Sequence, residues 1–136
     1  MDISHEAYKA ADSINIIGMR RTVFSWSGNE AGTTTEKICG YLIKAVTDPG
    51  SPAPTDNYDI AITDDLGFNV LTNCDDNLAD RDTSNIEEVH FFQKDSALAN
   101  TSRPPAVCST LTVTITNAGS GAGVLYLYWV GQLGDA

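Results

Sequence analysis

Between Val107 and Thr116 the chain alternates with a strict period of two. Val107, Ser109, Leu111, Val113 and Ile115 fall on one side, and Thr110, Thr112, Thr114 and Thr116 on the other. A helix would spread these residues around its whole circumference, whereas a strand sorts them into a core face and a solvent face. The same period runs through Ile14 to Trp26, with Thr22, Phe24 and Trp26 on one face and Val23 and Ser25 on the other. In Thr33 to Thr47 it places Tyr41, Ile43 and Ala45 together, with Gly40 as the expected bulge. Tyr58, Ile60 and Ile62 alternate with Asp59, Ala61 and Thr63. The turn formers of Asp64 to Gly67 then predict a tight hairpin, with Phe68 to Thr72 as its return strand. A less clean alternation covers Ile86 to Phe92.

Breaks separate these segments. Pro49, Pro52 and Pro54 remove three backbone donors between Asp48 and Pro54, so neither a helix nor a central strand passes through. Residues 73–85 (NCDDNLADRDTSN) read as a polar, acidic loop, and Lys94 to Pro105 as another. The glycine-rich Asn117 to Gly123 reads as a flexible hairpin loop. Val124 to Val130 carries an apolar or aromatic residue at every position, which suits a strand covered on both faces. Residues 1–13 lack an apolar stripe and are expected as an N-terminal arm or short helix, with 14–136 forming one domain. The expected fold is therefore an all-β, jelly-roll-like sandwich of seven or eight antiparallel strands, with a closed barrel as the alternative.

Composition narrows the function classes. Eighteen acidic against eight basic residues give a net charge of −10, the wrong sign for gripping phosphates, so no nucleic-acid partner is expected. No apolar run reaches the roughly 20 residues of a membrane span, and the polar N-terminus is unlike a secretory leader. A soluble, cytoplasm-made chain with no membrane partner is the expectation. Cys39, Cys74 and Cys108 are odd in number and widely spaced, so they are read as reduced, buried small hydrophobes. The sequon at Asn100 carries no weight without a secretory route.

Catalytic equipment is sparse. His5 and His90 are the two histidines, and neither sits in a nucleophile motif. The glycines of Gly119 to Gly123 do not precede a helix and so cannot cradle phosphate. The acids at Asp64, Asp65, Asp75, Asp76, Asp80 and Asp82 lack the order of a calcium loop. No enzyme activity, metal or cofactor is expected. Asp80, Arg81 and Asp82 are assigned to organising their loop, with Arg81 bonding a neighbouring carboxylate. Tyr126, Tyr128 and Trp129 load the last strand with the residue types enriched at interfaces, although a small core would use the same rings. With Arg20, Arg21 and Tyr8 of the arm they are the candidate interface residues.

Several segments resemble small β-rich structural proteins of tailed bacteriophages. The likeness is carried by Ala53 to Ile60 (APTDNYDI), Thr63 to Gly67 (TDDLG), Val70-Leu71 and Asp80 to Thr83 (DRDT). It extends to Phe24 to Trp26, Gly32 to Thr35, Leu111 to Gly119 and Gly123 to Tyr128, and spans most of residues 20–130. The first nineteen residues and the stretch from Phe91 to Pro105 depart from the pattern. The resemblance implies a virion structural protein made in the host cytoplasm. Within that class a capsid decoration (cement) protein is expected, a homotrimer on the outer capsid surface bound to the major capsid protein. A tail, neck or baseplate component is the alternative, and a glycan-binding attachment module a third.

Overall fold

A computed structural model of the chain describes residues 1–7, 18–94 and 102–135. Among these there is no helix. The strands are β1 (Asp2–Ala7), β2 (Met19–Ser27), β3 (Ala31–Thr33), β4 (Lys37–Pro49), β5 (Asp59–Thr63) and β6 (Glu87–His90). They continue with β7 (Gln93–Lys94), β8 (Ser102–Arg103), β9 (Ala106–Ser109), β10 (Thr112–Thr116) and β11 (Ala122–Gly134). A large sheet runs β1-β2-β11-β4-β6, with β9 also on β4; a small sheet runs β3-β10-β5; β7 and β8 form a separate pair. Every pairing is antiparallel. The expected β-sandwich is present, with more strands than the alternation resolved.

The inner faces meet in one core. Phe24, Trp26, Leu125, Leu127 and Trp129 of the large sheet pack in the same cluster as Ile60, Ile62, Val113 and Ile115 of the small one. Trp129 is wholly buried and donates its indole N–H to Thr22 Oγ1 at 3.0 Å. Thr22 Oγ1 also lies 2.8 Å from Nδ1 of His5, within hydrogen-bond distance, so the one hydroxyl bonds both rings. This chain of two hydrogen bonds ties β1, β2 and β11 together beneath the sheet.

The face set of β2 follows the sequence, and several other expectations are corrected. Residues 2–7 form the edge strand β1, in register from Asp2 opposite Ser25 to Ala7 opposite Arg20, rather than an arm or helix. Met1 and Ile3 pack against the core, supplying the apolar contact that the short segment lacks alone. Residues 8–17, including Tyr8 and the start of the segment read from Ile14, lie outside the described residues. The bulge in β4 falls at Ile43, not Gly40, where the register jumps from Lys44 opposite Tyr128 to Leu42 opposite Trp129. The extra residue reverses the phase, so Ala45 is buried while Tyr41 points outward.

Residues 68–72 are a turn joined to β5 by a single bridge, Thr63 to Asn69, instead of a return strand. Asp64 Oδ1 accepts from the backbone N–H groups of Leu66 and Phe68 and so curls the chain locally. The run from Val107 to Thr116 divides into β9 in the large sheet and β10 in the small one, breaking at Thr110 and Leu111. The glycine-rich segment before β11 likewise passes from one sheet to the other, since β10 and β11 do not pair.

Cys39 and Cys108, expected as reduced, are joined by a disulfide. They are 69 residues apart in the chain, but β4 and β9 set them directly opposite each other. Cys74 is the free, buried thiol, and burial raises its pKa.

Gly131 opposes Gly40 so closely that a Cβ on Gly131 would lie 1.9 Å from the carbonyl oxygen of Cys39. Gly131→Ala is therefore expected to cost about 1–3 kcal/mol, the usual range for forced overpacking. Urea denaturation should show a lower midpoint at an unchanged slope.

Candidate interaction face

The outer face of the large sheet is built by the other half of each alternation. On β11 the inner Leu125, Leu127 and Trp129 leave Tyr126 and Tyr128 pointing out, half-buried by their neighbours. No second layer lies over them among the described residues. Trp129, expected as an interface candidate, belongs to the core. Its even phase relative to Leu127 places it inward.

Register then assembles a row across five strands. Glu6 lies opposite Arg21, Arg21 opposite Tyr128, Tyr128 opposite Lys44, and Lys44 opposite His90. Arg21 Nε donates to Glu6 at 2.8 Å, and a terminal nitrogen donates to the Tyr128 hydroxyl at 3.2 Å. Its guanidinium stands 5.0 Å from the Tyr126 ring centre and 5.7 Å from that of Tyr128. From the other side Lys44 Nζ stands 4.9 Å from the Tyr128 ring and 2.9 Å from Glu88. Hydrogen bonds from Lys44 and then His90 hold the Glu88 carboxyl below its ordinary pKa. The tyrosines are thus fixed by cations stacked on their faces and by acids beyond the cations, an arrangement that immobilises large amphipathic rings before any partner arrives.

The adjoining row is apolar. Val23, Tyr126 and Val46 lie side by side in register, with Ser4 at one end and Glu88 at the other. Tyr41 adds a ring that is 53% exposed. Arg20 is turned differently: its Nε donates to Gly131 O at 2.8 Å and its head lies 5.6 Å from the Trp129 ring, so it closes the end of the core. Of the interface candidates, the fold gathers Arg21, Tyr126 and Tyr128 on one face and turns Arg20 and Trp129 to another task. Lys44, Glu6 and Glu88 complete the face and were not singled out. For Lys44 the bulge at Ile43 hid the side on which it emerges.

The acidic loop is organised around Arg81, whose side chain is 7% exposed. Its carboxylate partner is Asp76, bonded through both oxygens at 2.9 and 3.0 Å, rather than the flanking Asp80 or Asp82. It also donates to Ala79 O, and Glu87 stands 3.8 Å away. The Asp80 N–H donates to Asp59, and Asp82 accepts from Ser84 and Asn85. These bonds, led by the Ser84 backbone N–H, pull the Asp82 carboxyl down to about 2. Backbone bonds from Ile60 N–H to Leu78 O and from Arg81 N–H to Tyr58 O dock the loop along the edge of β5. A solvated-looking acidic stretch therefore acts as an edge cover for the small sheet. A shallow depression of about 310 Å³ lies beside Met1, Asp2, Trp26 and Glu30. Among the described residues, no three His, Cys, Asp or Glu side chains converge as metal ligands would.

Two outcomes are expected. Asp76→Ala removes the main partner of the Arg81 guanidinium and should cost about 1.5–2 kcal/mol in chemical denaturation, since Asp76 is half-exposed and Ala79 O remains as an acceptor. Burial pulls the pKa of His5 below 6.5, while Glu36 opposes and Arg20 adds to the shift. The unfolded chain therefore binds a proton that the folded chain resists, so stability is full above about pH 6.5 and falls as pH drops toward the lowered value. Denaturation midpoints from pH 8 to 5 should fall more steeply for the native chain than for His5→Asn.

Protein-family models, curated proteins and solved structures contain no match to this chain.

Proposed function

We propose that the chain is a non-enzymatic structural protein of a tailed-bacteriophage particle, a decoration protein that seats on the outer capsid shell. In this reading it binds the major capsid protein and further copies of itself as a trimer. The observation that carries the reading is the outer face of the large sheet, where Tyr126 and Tyr128 are held in place by Arg21 and Lys44. Five strands at about 4.8 Å spacing, over the nine residues of β2 and shorter at β1 and β6, present roughly 600 Å². That is about three quarters of the ~800 Å² per partner of a standard specific interface. Rigid tyrosines lose little rotamer freedom on docking, so such a face favours association without needing chemistry.

The sequence resemblance supports the choice of particle. A decoration protein works by adding buried area across the junctions of shell subunits, which raises the work needed to rupture them. A rigid sandwich suits that role because the load passes through hydrogen-bonded strands.

Gel densitometry of purified particles tests the assignment directly. A copy number in the hundreds is expected; about six or twelve, as closed neck or tail rings give, would overturn the capsid placement. Shells without the protein should rupture at lower temperature and recover when it is added back. The double variant Arg21→Glu, Lys44→Glu should bind those shells at least about tenfold more weakly. Undiminished binding by that folded variant would remove the sheet face from the reading.

A further inference from the structure

The disulfide between Cys39 and Cys108 joins a short edge strand to the large sheet. Strand β9 is four residues long and has one neighbour, the first half of β4. Pro104 and Pro105 precede it and contribute no backbone donors. Two residues after it, the chain has crossed to the small sheet as β10. The alternation is unambiguous here: Ser109 is buried and Val107 half-buried inward, while Ala106 and Cys108 are exposed. Cys39 is half-buried on the same outer side of β4. The bond therefore lies on the solvent face, open to small thiols, and it is the covalent link between an edge strand and the body of the sheet.

Backbone geometry identifies what else holds β9. The Cα atoms of Cys39 and Cys108 are 3.9 Å apart, the narrow spacing of a non-hydrogen-bonded pair. The ladder bonds then fall to the flanking pairs, Ile38 with Ser109 and Gly40 with Val107. Leu42 N–H extends the series with a 2.9 Å bond to Pro105 O. Beyond these edge hydrogen bonds, β9 is held by half-buried Val107 and by buried Ser109, whose Oγ accepts from the Asp65 N–H at 2.9 Å, a small local unit once the covalent link is gone.

We infer that Cys39–Cys108 is a thiol-operated latch: a dithiol reductant opens it in the folded protein, releases β9, and exposes the Ile38–Leu42 edge of β4. The exchange balances in two steps. A thiolate of the dithiol attacks the exposed Cys108 Sγ; the Cys39–Cys108 bond breaks, and Cys39 leaves as a thiolate that takes up a proton. The second thiol of the reductant then attacks the mixed disulfide, releasing Cys108 as a thiol and closing the reductant into its own disulfide. Two electrons and two protons pass from the dithiol to the protein. The freed edge offers alternate N–H and C=O groups, the feature an extended peptide strand pairs with. Cys74 takes no part, because it is buried and its thiol is held protonated.

Amide exchange with and without dithiothreitol, on the intact chain in native buffer, tests the latch. Alkylation after native reduction should label two cysteines and spare Cys74. Exchange at Ile38, Gly40 and Leu42 should then quicken at least about tenfold, while the β2–β11 amides stay unchanged. The paired variant Cys39→Ser, Cys108→Ser should reproduce the fast exchange without reductant. Three free thiols in the protein as purified, reduction only on global unfolding, or unaltered exchange after reduction would each overturn the inference.

Discussion

The hydrogen bond from the Trp129 indole to Thr22, continued to His5, fixes more of this molecule than its size suggests. Thr22 is wholly buried, so its hydroxyl must find partners inside the protein. Trp129 sits two residues along from Leu127, its direct cross-strand neighbour, and His5 lies directly opposite on β1. A slip of one residue in either pairing would turn these groups to the wrong side of the sheet and strand the hydroxyl. Register across three strands thus follows from satisfying a single buried oxygen. Once that register is set, Glu6, Arg21 and Tyr128 must fall in one row on the outer face.

The parts of this arrangement that depend on neighbours in sequence were legible there. The inward set Thr22, Phe24 and Trp26 needs nothing more than a period of two, and so does the inward set Leu111, Val113 and Ile115. What depends on partners distant in sequence was not. The bulge at Ile43 arises from the match of β4 to β11, and no local signal marks it. The same holds for Cys39 and Cys108, which become neighbours through the β4–β9 pairing. Arg81 stood out in the sequence, but its choice of Asp76 over the adjacent acids depends on how the loop wraps toward β5. Tyr126 and Tyr128 could be singled out by type; that they face outward while Trp129 faces inward needed β11 to be placed in a sheet with one side packed.

The two faces of β11 show how one segment serves two demands. Its inner residues are aliphatic or indole and close the core, and its outer side carries two phenols, Tyr126 and Tyr128, beside Val124 and Val130. A run that is hydrophobic on paper therefore splits into a stabilising half and a half free to meet another surface. The cations beside the phenols also offset local acidity on a chain of net charge −10, so this face differs in character from the acidic loops elsewhere.

The position of β11 has a consequence for how the chain comes to be folded. The strand that lies between β2 and β4 is the last of the eleven to leave the ribosome. Until it arrives, β2 and β4 lack the partner of their longest borders. The early part of the chain must wait, open and sticky, for its own middle to be delivered at the end. The join between the β1–β2 and β4–β6 parts of the large sheet consequently waits for β11. High production rates would then favour side-by-side association of waiting chains over correct closure.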